Sequence, residues 1–225
     1  MNGRVKEPMR VAELWRYPVK SLRGEPLAAV EIARDGIPGD RAVHVVDERG
    51  ELITARSRRR LLLLEATLAP HGEPLVDGHR WDSDEAAARV RAAAGDGARL
   101  VRSHGGHRFD DTDLLVATDG AVAWLGRDHR RLRPNLLIEG VEGLSERAWP
   151  GSRLRVGEAL LDVRRVCKRC AITTLAPDTA EVDPGVLRRI NTELDGRFAL
   201  NCDVAEPGRV AVGDRANLMP GRAGP

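Results

Sequence analysis

Two thiols separated by two cations form the sharpest local feature of the chain: Cys167-Lys168-Arg169-Cys170, followed at once by Ala171-Ile172-Thr173-Thr174. A positive charge beside a thiol favours the thiolate, which is both the nucleophile and the metal-binding form. Three chemistries fit such a pair: dithiol redox exchange, zinc ligation, or a single thiolate on a softer metal. Structural zinc wants four ligands. No second Cys-x-x-Cys is present, and His104 and His107 stand in a separate loop rich in Gly and His. A thioredoxin-type pair wants a strand-to-helix junction. Residues 161–166 read as a strand leading in, yet no capped helix begins after Cys170 and Pro177 interrupts soon after. Two buried structural thiols are the plain alternative.

A second group is cationic and dispersed. Tyr17-Pro-Val-Lys20-Ser21 sets a lysine beside a hydroxyl at a turn, Gly39-Asp40-Arg41 sets an arginine at a strand start, and Arg133-Pro134-Asn135 sets another beside an amide. Taken singly, each is more often a solvated charge or a cap than a ligand contact. Together with Arg169 they offer donors suited to a phosphate and to the polar edge of a heterocycle.

The elements that must position these residues read mainly as strands. Residues 28–33 alternate apolar and polar, 41–47 follow a Pro38-Gly39-Asp40 turn, and 52–55 pair back across Glu48–Glu51 as a meander. Residues 61–64, four leucines after a basic cluster at 56–60, are expected as a buried strand. Asp82 and Glu85 resemble a capping box for an alanine-rich helix over 85–94 that Gly95 ends. Thr118 or Asp119 can cap a short helix through Leu125, and Asp183-Pro184 starts another through Leu194. Strands return at 135–139, 153–156, 159–164 and 209–212. No regular βαβ alternation exists, so the expected class is mainly β (α+β): antiparallel β-barrels with a few short helices.

Composition narrows the partners. The 225 residues carry 36 Lys+Arg against 34 Asp+Glu, a net charge of +2. Such a balance gives no bulk drive toward nucleic acid or anionic lipid. Aromatic residues are 3% of the chain, too few for a base-stacking platform. No apolar run approaches the roughly 18 residues of a membrane span. The polar first ten residues lack a signal-peptide core. Three cysteines are an odd number, which disfavours a disulfide framework. The expectation is a cytoplasmic protein with neither nucleic-acid nor membrane partners. Every basic residue except Lys6, Lys20 and Lys168 is arginine, so any phosphate site is expected to be mainly arginine.

One ordered set of motifs runs through nearly the whole chain, from about residue 9 to 216: Tyr17-Pro-Val-Lys-Ser21, Gly39-Asp-Arg41, Thr54-Ala-Arg56, Arg133-Pro-Asn135, Trp149, Cys167-Lys-Arg-Cys170, Thr173-Thr174, Pro177-Asp-Thr179, Phe198, Asn201 and Val212-Gly-Asp214. This set resembles the MOSC family, named for the C-terminal domain of molybdenum cofactor sulfurase. It is most similar to the branch with an N-terminal MOSC-associated β-barrel, which includes the mitochondrial amidoxime-reducing component. The resemblance implies an N-terminal β domain over 9–98 and a MOSC domain over 99–220. It implies a molybdenum–pterin cofactor with Cys170 as the metal ligand and catalytic residue. It further implies cofactor contacts from Lys20, Ser21, Arg41 (phosphate region), Thr118, Arg133, Asn135, Lys168, Arg169 and Asn201. Cys167 carries no ligand role and is read as a supporting or structural thiol.

The implied reaction is reduction of a small N-hydroxylated substrate, such as an amidoxime or hydroxylamine, by oxygen-atom abstraction. A cofactor carrier or persulfide-transfer module without turnover is the alternative, and a barrel that has lost the cofactor is a third. No cysteine-rich ferredoxin domain follows the motifs, so no iron–sulfur cluster is expected in the chain. Electrons are expected from a separate ferredoxin- or cytochrome-type donor with its reductase. Protons are expected through water, Asp178 or His104. Two departures stand out: Asp178-Thr179-Ala180 and Phe198-Ala199 each carry alanine where the family often has glycine, a residue that permits unusual backbone angles.

Overall fold

Sixteen strands and three α-helices organise the chain in a computed structural model that describes residues 8–103 and 112–221. The first half runs β1 (Arg10–Arg16), β2 (Glu25–Leu27), β3 (Ala29–Ile32), β4 (Val43–Val46), β5 (Leu52–Ile53), β6 (Ala66–Leu68), β7 (Pro74–Val76), β8 (His79–Arg80), α1 (Asp84–Ala94) and β9 (Arg99–Arg102). The second half runs β10 (Leu114–Thr118), α2 (Asp119–Leu125), β11 (Leu136–Glu139), β12 (Arg153–Val156), β13 (Ala159–Lys168), α3 (Pro184–Leu194), β14 (Arg197–Glu206), β15 (Gly208–Ala211) and β16 (Ala216–Met219).

Eight strands form the main sheet in the order β16-β12-β13-β14-β10-β11-β1-β2. This sheet curls until β1 meets the approach to β16. Arg10 bridges Arg215, Val11 N–H donates to the Asp214 carbonyl at 2.9 Å, and Ala216 N–H donates to the Met9 carbonyl at 2.8 Å. The curl encloses the inward-facing side chains of its strands, among them Val11, Leu14, Val116, Ile138, Leu154, Leu161 and Leu200. The Val212-Gly213-Asp214 motif locks this closure, because Asp214 Oδ2 also accepts the Ala211 N–H at 2.8 Å. The mainly β class expected from the sequence is what the structure has, with one refinement: β10 and β11 pair in parallel.

A smaller unit packs beside it. β4 lies between β5 and β9, β6-β7-β8 form a second small sheet, and α1 covers both through Ala86, Val90 and Ala94. Hydrogen bonding runs between the two halves of the sequence, since β1 pairs with β11 and β3 with β15.

Two local expectations are corrected. Residues 61–64 do not form a strand: Arg59–Leu63 is a 3-10 turn with Leu61 and Leu62 buried. The Leu61 and Leu64 N–H groups donate back to the Arg58 and Leu61 carbonyls, at 3.0 and 3.2 Å, so local turn bonds and not a neighbouring strand satisfy them. The cap of α1 is Ser83, whose hydroxyl accepts the Ala86 N–H at 3.2 Å; Asp82 instead pairs with Arg80. For α3, Asp183 accepts the Gly185 N–H at 3.0 Å and Pro184 opens the helix, as the sequence predicts.

Candidate functional site

A cleft of about 420 Å³ opens between the two units. Three segments build its walls, and each is fixed by local bonding. In the first, residues 17–22 lie along β4: Lys20 N–H donates to the Val43 carbonyl at 2.8 Å and Arg41 N–H to the Tyr17 carbonyl at 2.7 Å. This course puts Ser21 at φ 73° and Arg41 at φ 50°, left-handed conformations that side chains other than glycine adopt at a cost.

Arg133-Pro134-Asn135, entering β11, forms the second wall. Arg133 closes the short turn His129–Leu132 at φ 57°. Its Nη1 donates to the Leu22 carbonyl at 2.7 Å, tying the two walls together. Asn135 is 1% exposed, and both its amide protons are spoken for: Nδ2 donates to the Trp15 carbonyl at 3.3 Å and to Asp40 Oδ2 at 3.1 Å. Its Oδ1 accepts the Leu115 N–H at 3.1 Å. Asn135 thus holds Asp40, and Asp40 holds the Arg41 guanidinium and the Tyr17 N–H.

Third, the end of β13 delivers Cys167 and Lys168, and the chain then turns. Cys170 stands in extended geometry at the start of the turn Ala171–Thr174. The Thr173 hydroxyl donates to the Cys170 carbonyl at 2.9 Å and the Thr174 hydroxyl to the Ala171 carbonyl at 2.7 Å. These bonds explain the paired threonines: they fix the turn that presents the thiol. Arg169 donates from Nη2 to the Leu132 carbonyl at 2.8 Å and from Nη1 to Cys167 Sγ at 3.3 Å. Asn201 reaches the cleft from β14, opposite Arg165 of β13.

Nine of the ten residues singled out from the sequence line this one cleft: Lys20, Ser21, Arg41, Arg133, Asn135, Lys168, Arg169, Cys170 and Asn201. Thr118 does not. It is fully buried, its hydroxyl accepts the Ala121 N–H at 3.2 Å as the cap of α2, and it lies against Glu146. Its prominence in the sequence comes from that cap. Asp178 is bound into a surface network with Arg130 at 2.5 Å. His104 lies outside the described residues. Thr54, Arg56, Thr112 and Ile172 also line the cleft and carried no assignment. The Thr54-Ala55-Arg56 motif was visible, but nothing in the sequence placed that loop against Cys170. The two alanines at family glycine positions do sit at positive φ, 55° at Ala180 and 64° at Ala199.

Among the described residues, the lining holds six cations and no carboxylate. Asp40, buried behind Arg41, pairs with its guanidinium. Arg169 Nε is buried and has no hydrogen-bond partner among the described residues. A guanidinium N–H left buried in this way costs free energy unless a ligand accepts it. Thiols, hydroxyls and guanidinium groups gathered around one cavity suit an anionic, sulfur-rich metal cofactor. All three cysteines are free, and the described residues contain no cluster of three or more His, Cys, Asp or Glu able to hold a metal by themselves. No helix among them is long and apolar enough to cross a membrane.

A curled sheet, a smaller β unit and a cationic cleft that presents a thiol between them define a two-part β protein. The chain belongs to the MOSC family: the MOSC domain matches residues 114–217 and the MOSC N-terminal beta barrel domain matches residues 8–127. It is similar to mitochondrial amidoxime-reducing component 1 from Homo sapiens, with 25% identity across 93% of this chain and 82% of that protein. Mitochondrial amidoxime reducing component 2 from Macaca fascicularis is 26% identical across 80% of this chain and 70% of its own. Among solved structures, the YuaD protein from Bacillus subtilis shares the fold, with a TM-score of 0.52 at 15% identity over 95% of this chain and 97% of that one.

Proposed function

We infer that this protein is a molybdenum-cofactor oxidoreductase that reduces small N-hydroxylated compounds. The observation that carries this reading is the cationic cleft in which Cys170 stands among Lys20, Arg41, Arg56, Arg133, Lys168 and Arg169. The names of the amidoxime-reducing relatives supply the substrate class. When bound, the cofactor supplies two-electron removal of oxygen from an N–O group.

The chain's own residues do the rest. Cys170 offers a soft thiolate from a turn that Thr173 and Thr174 hold in place. Arg41, Arg133 and Lys20 gather positive charge for a phosphate, and the unpartnered Arg169 Nε offers a further donor. Asn135 and Asp40 keep the Arg41 wall in place. Electrons come from a separate ferredoxin- or cytochrome-type donor with its reductase.

Two measurements on protein from a cofactor-competent host test the reading: elemental analysis, and benzamidoxime reduction with an artificial donor. The expected result is bound molybdenum and turnover. Bound molybdenum without turnover favours a carrier or persulfide-transfer module. Repeated preparations without molybdenum contradict the cofactor reading.

A further inference from the structure

Arg41 and Arg133 arrive from different loops, yet their guanidinium groups share one aromatic ring. Their Cζ atoms lie 5.0 and 4.2 Å from the centroid of Tyr17. Both distances fall within the range in which a ring face attracts a cation. Tyr17 itself is 2% exposed and does not line the cleft, so it sits behind the two arginines.

The seat of that ring is over-determined. Its hydroxyl donates to the Pro134 carbonyl at 3.2 Å, and its N–H donates to Asp40 Oδ1 at 2.6 Å. Trp15 stacks beside it, 6.4 Å between centroids and 18° between planes. Gly24 leaves it room, since a Cβ there would come within 2.4 Å of the ring. Burial pushes the phenol pKa up, and the Arg133 and Arg41 charges offset only part of this, so the hydroxyl stays a donor at working pH.

We propose that Tyr17 is a positioning residue, whose ring holds the Arg41 and Arg133 guanidinium groups as a preset pair for the anionic end of the ligand in the cleft. This rests on the reading of the cleft as a site for an anion-bearing cofactor. Two like charges drawn to one place repel, and Asp40 pairs with Arg41. The ring face attracts both cations and takes up none of their N–H groups. Holding them beforehand also removes the entropy cost of ordering two long side chains on binding.

The test uses cofactor-free protein and inorganic phosphate, read by titration calorimetry, with molybdenum content of loaded protein as a second readout. Tyr17→Met keeps bulk and removes the ring face. It should weaken phosphate binding about fivefold or more and lower molybdenum content. Tyr17→Phe keeps the ring and should restore both to near the parent level. Val90→Ala, in the α1 core away from the cleft, controls for lost stability. Equal phosphate affinity in Tyr17→Met and Val90→Ala overturns the proposal. Should Tyr17→Met not fold, the Arg41 and Arg133 side-chain proton resonances of the parent and of Tyr17→Phe decide. Ring-current shifts in both support the placement, and their absence overturns it. Parent protein that takes up neither molybdenum nor phosphate overturns the cofactor reading, and this inference with it.

Discussion

Replacing Arg133 by alanine should damage the empty protein before any ligand is considered. Arg133 is 6% exposed, and its guanidinium donates to the Leu22 carbonyl at 2.7 Å and lies 4.2 Å from the Tyr17 centroid. A hydrogen bond from a charged group contributes about 1.5–3 kcal/mol, and a desolvated cation–ring contact about 2 kcal/mol. Relief of guanidinium desolvation takes part of this back, which leaves a net loss of about 3 kcal/mol. For a chain of this length that lowers the melting temperature by about 6–12 °C. Differential scanning calorimetry of cofactor-free parent and Arg133→Ala measures it. A fall of less than about 2 °C, equivalent to about 0.5–1 kcal/mol or less, would refute the reasoning that the arginine ties two walls together. Molybdenum occupancy of this variant is therefore compared only well below both melting points, where the expected deficit reports binding and not unfolding.

Cys170→Ser should abolish turnover and leave the melting temperature within about 2 °C, because Cys170 is only partly buried and the exchange changes one atom; Cys167→Ser should keep most activity, and the reverse order overturns the ligand assignment. Ala180→Gly and Ala199→Gly should each change stability by under about 1 kcal/mol. Release of about 1–2 kcal/mol of left-handed strain is offset by a lost buried methyl at about 0.8 kcal/mol and a freer unfolded chain at about 0.4–1 kcal/mol; chemical denaturation checks this. Glu146 is 1% exposed, and burial raises its carboxyl pKa above the ordinary 4.5, only partly offset by a backbone hydrogen bond, the Thr118 hydroxyl and the Arg147 charge. The folded state thus binds more protons than the unfolded chain as pH rises above that value, so this group costs stability progressively toward neutral pH. Glu146→Gln should melt higher than the parent at pH 7, with the gap shrinking toward pH 4; a gap independent of pH contradicts the assignment.

Motif order in the sequence carried the site further than it carried the strands. Cys170, Arg169 and Lys168 are contiguous, and Lys20, Arg41 and Arg133 each sit beside a turn residue, so local spacing exposed them. Strand β14 was not anticipated, because Arg197–Glu206 interleaves apolar residues with Asn201 and Asp203, and Asn201 turns inward to the cleft. The parallel pairing of β10 with β11 was equally invisible: periodicity reports which face is buried, not which strand lies alongside. Thr118 shows the converse failure, since a hydroxyl at a helix start looks the same whether it caps the helix or faces a ligand. Arg56 needed the fold itself, which brings the loop after β5 to the cleft that the end of β13 lines from the other unit.

The proposed function places a bond between the Cys170 sulfur and molybdenum. Molybdenum-edge X-ray absorption on loaded parent protein and on loaded Cys170→Ser measures that bond directly. One more sulfur neighbour is expected around the metal in the parent than in the variant. Identical sulfur shells in the two would contradict it.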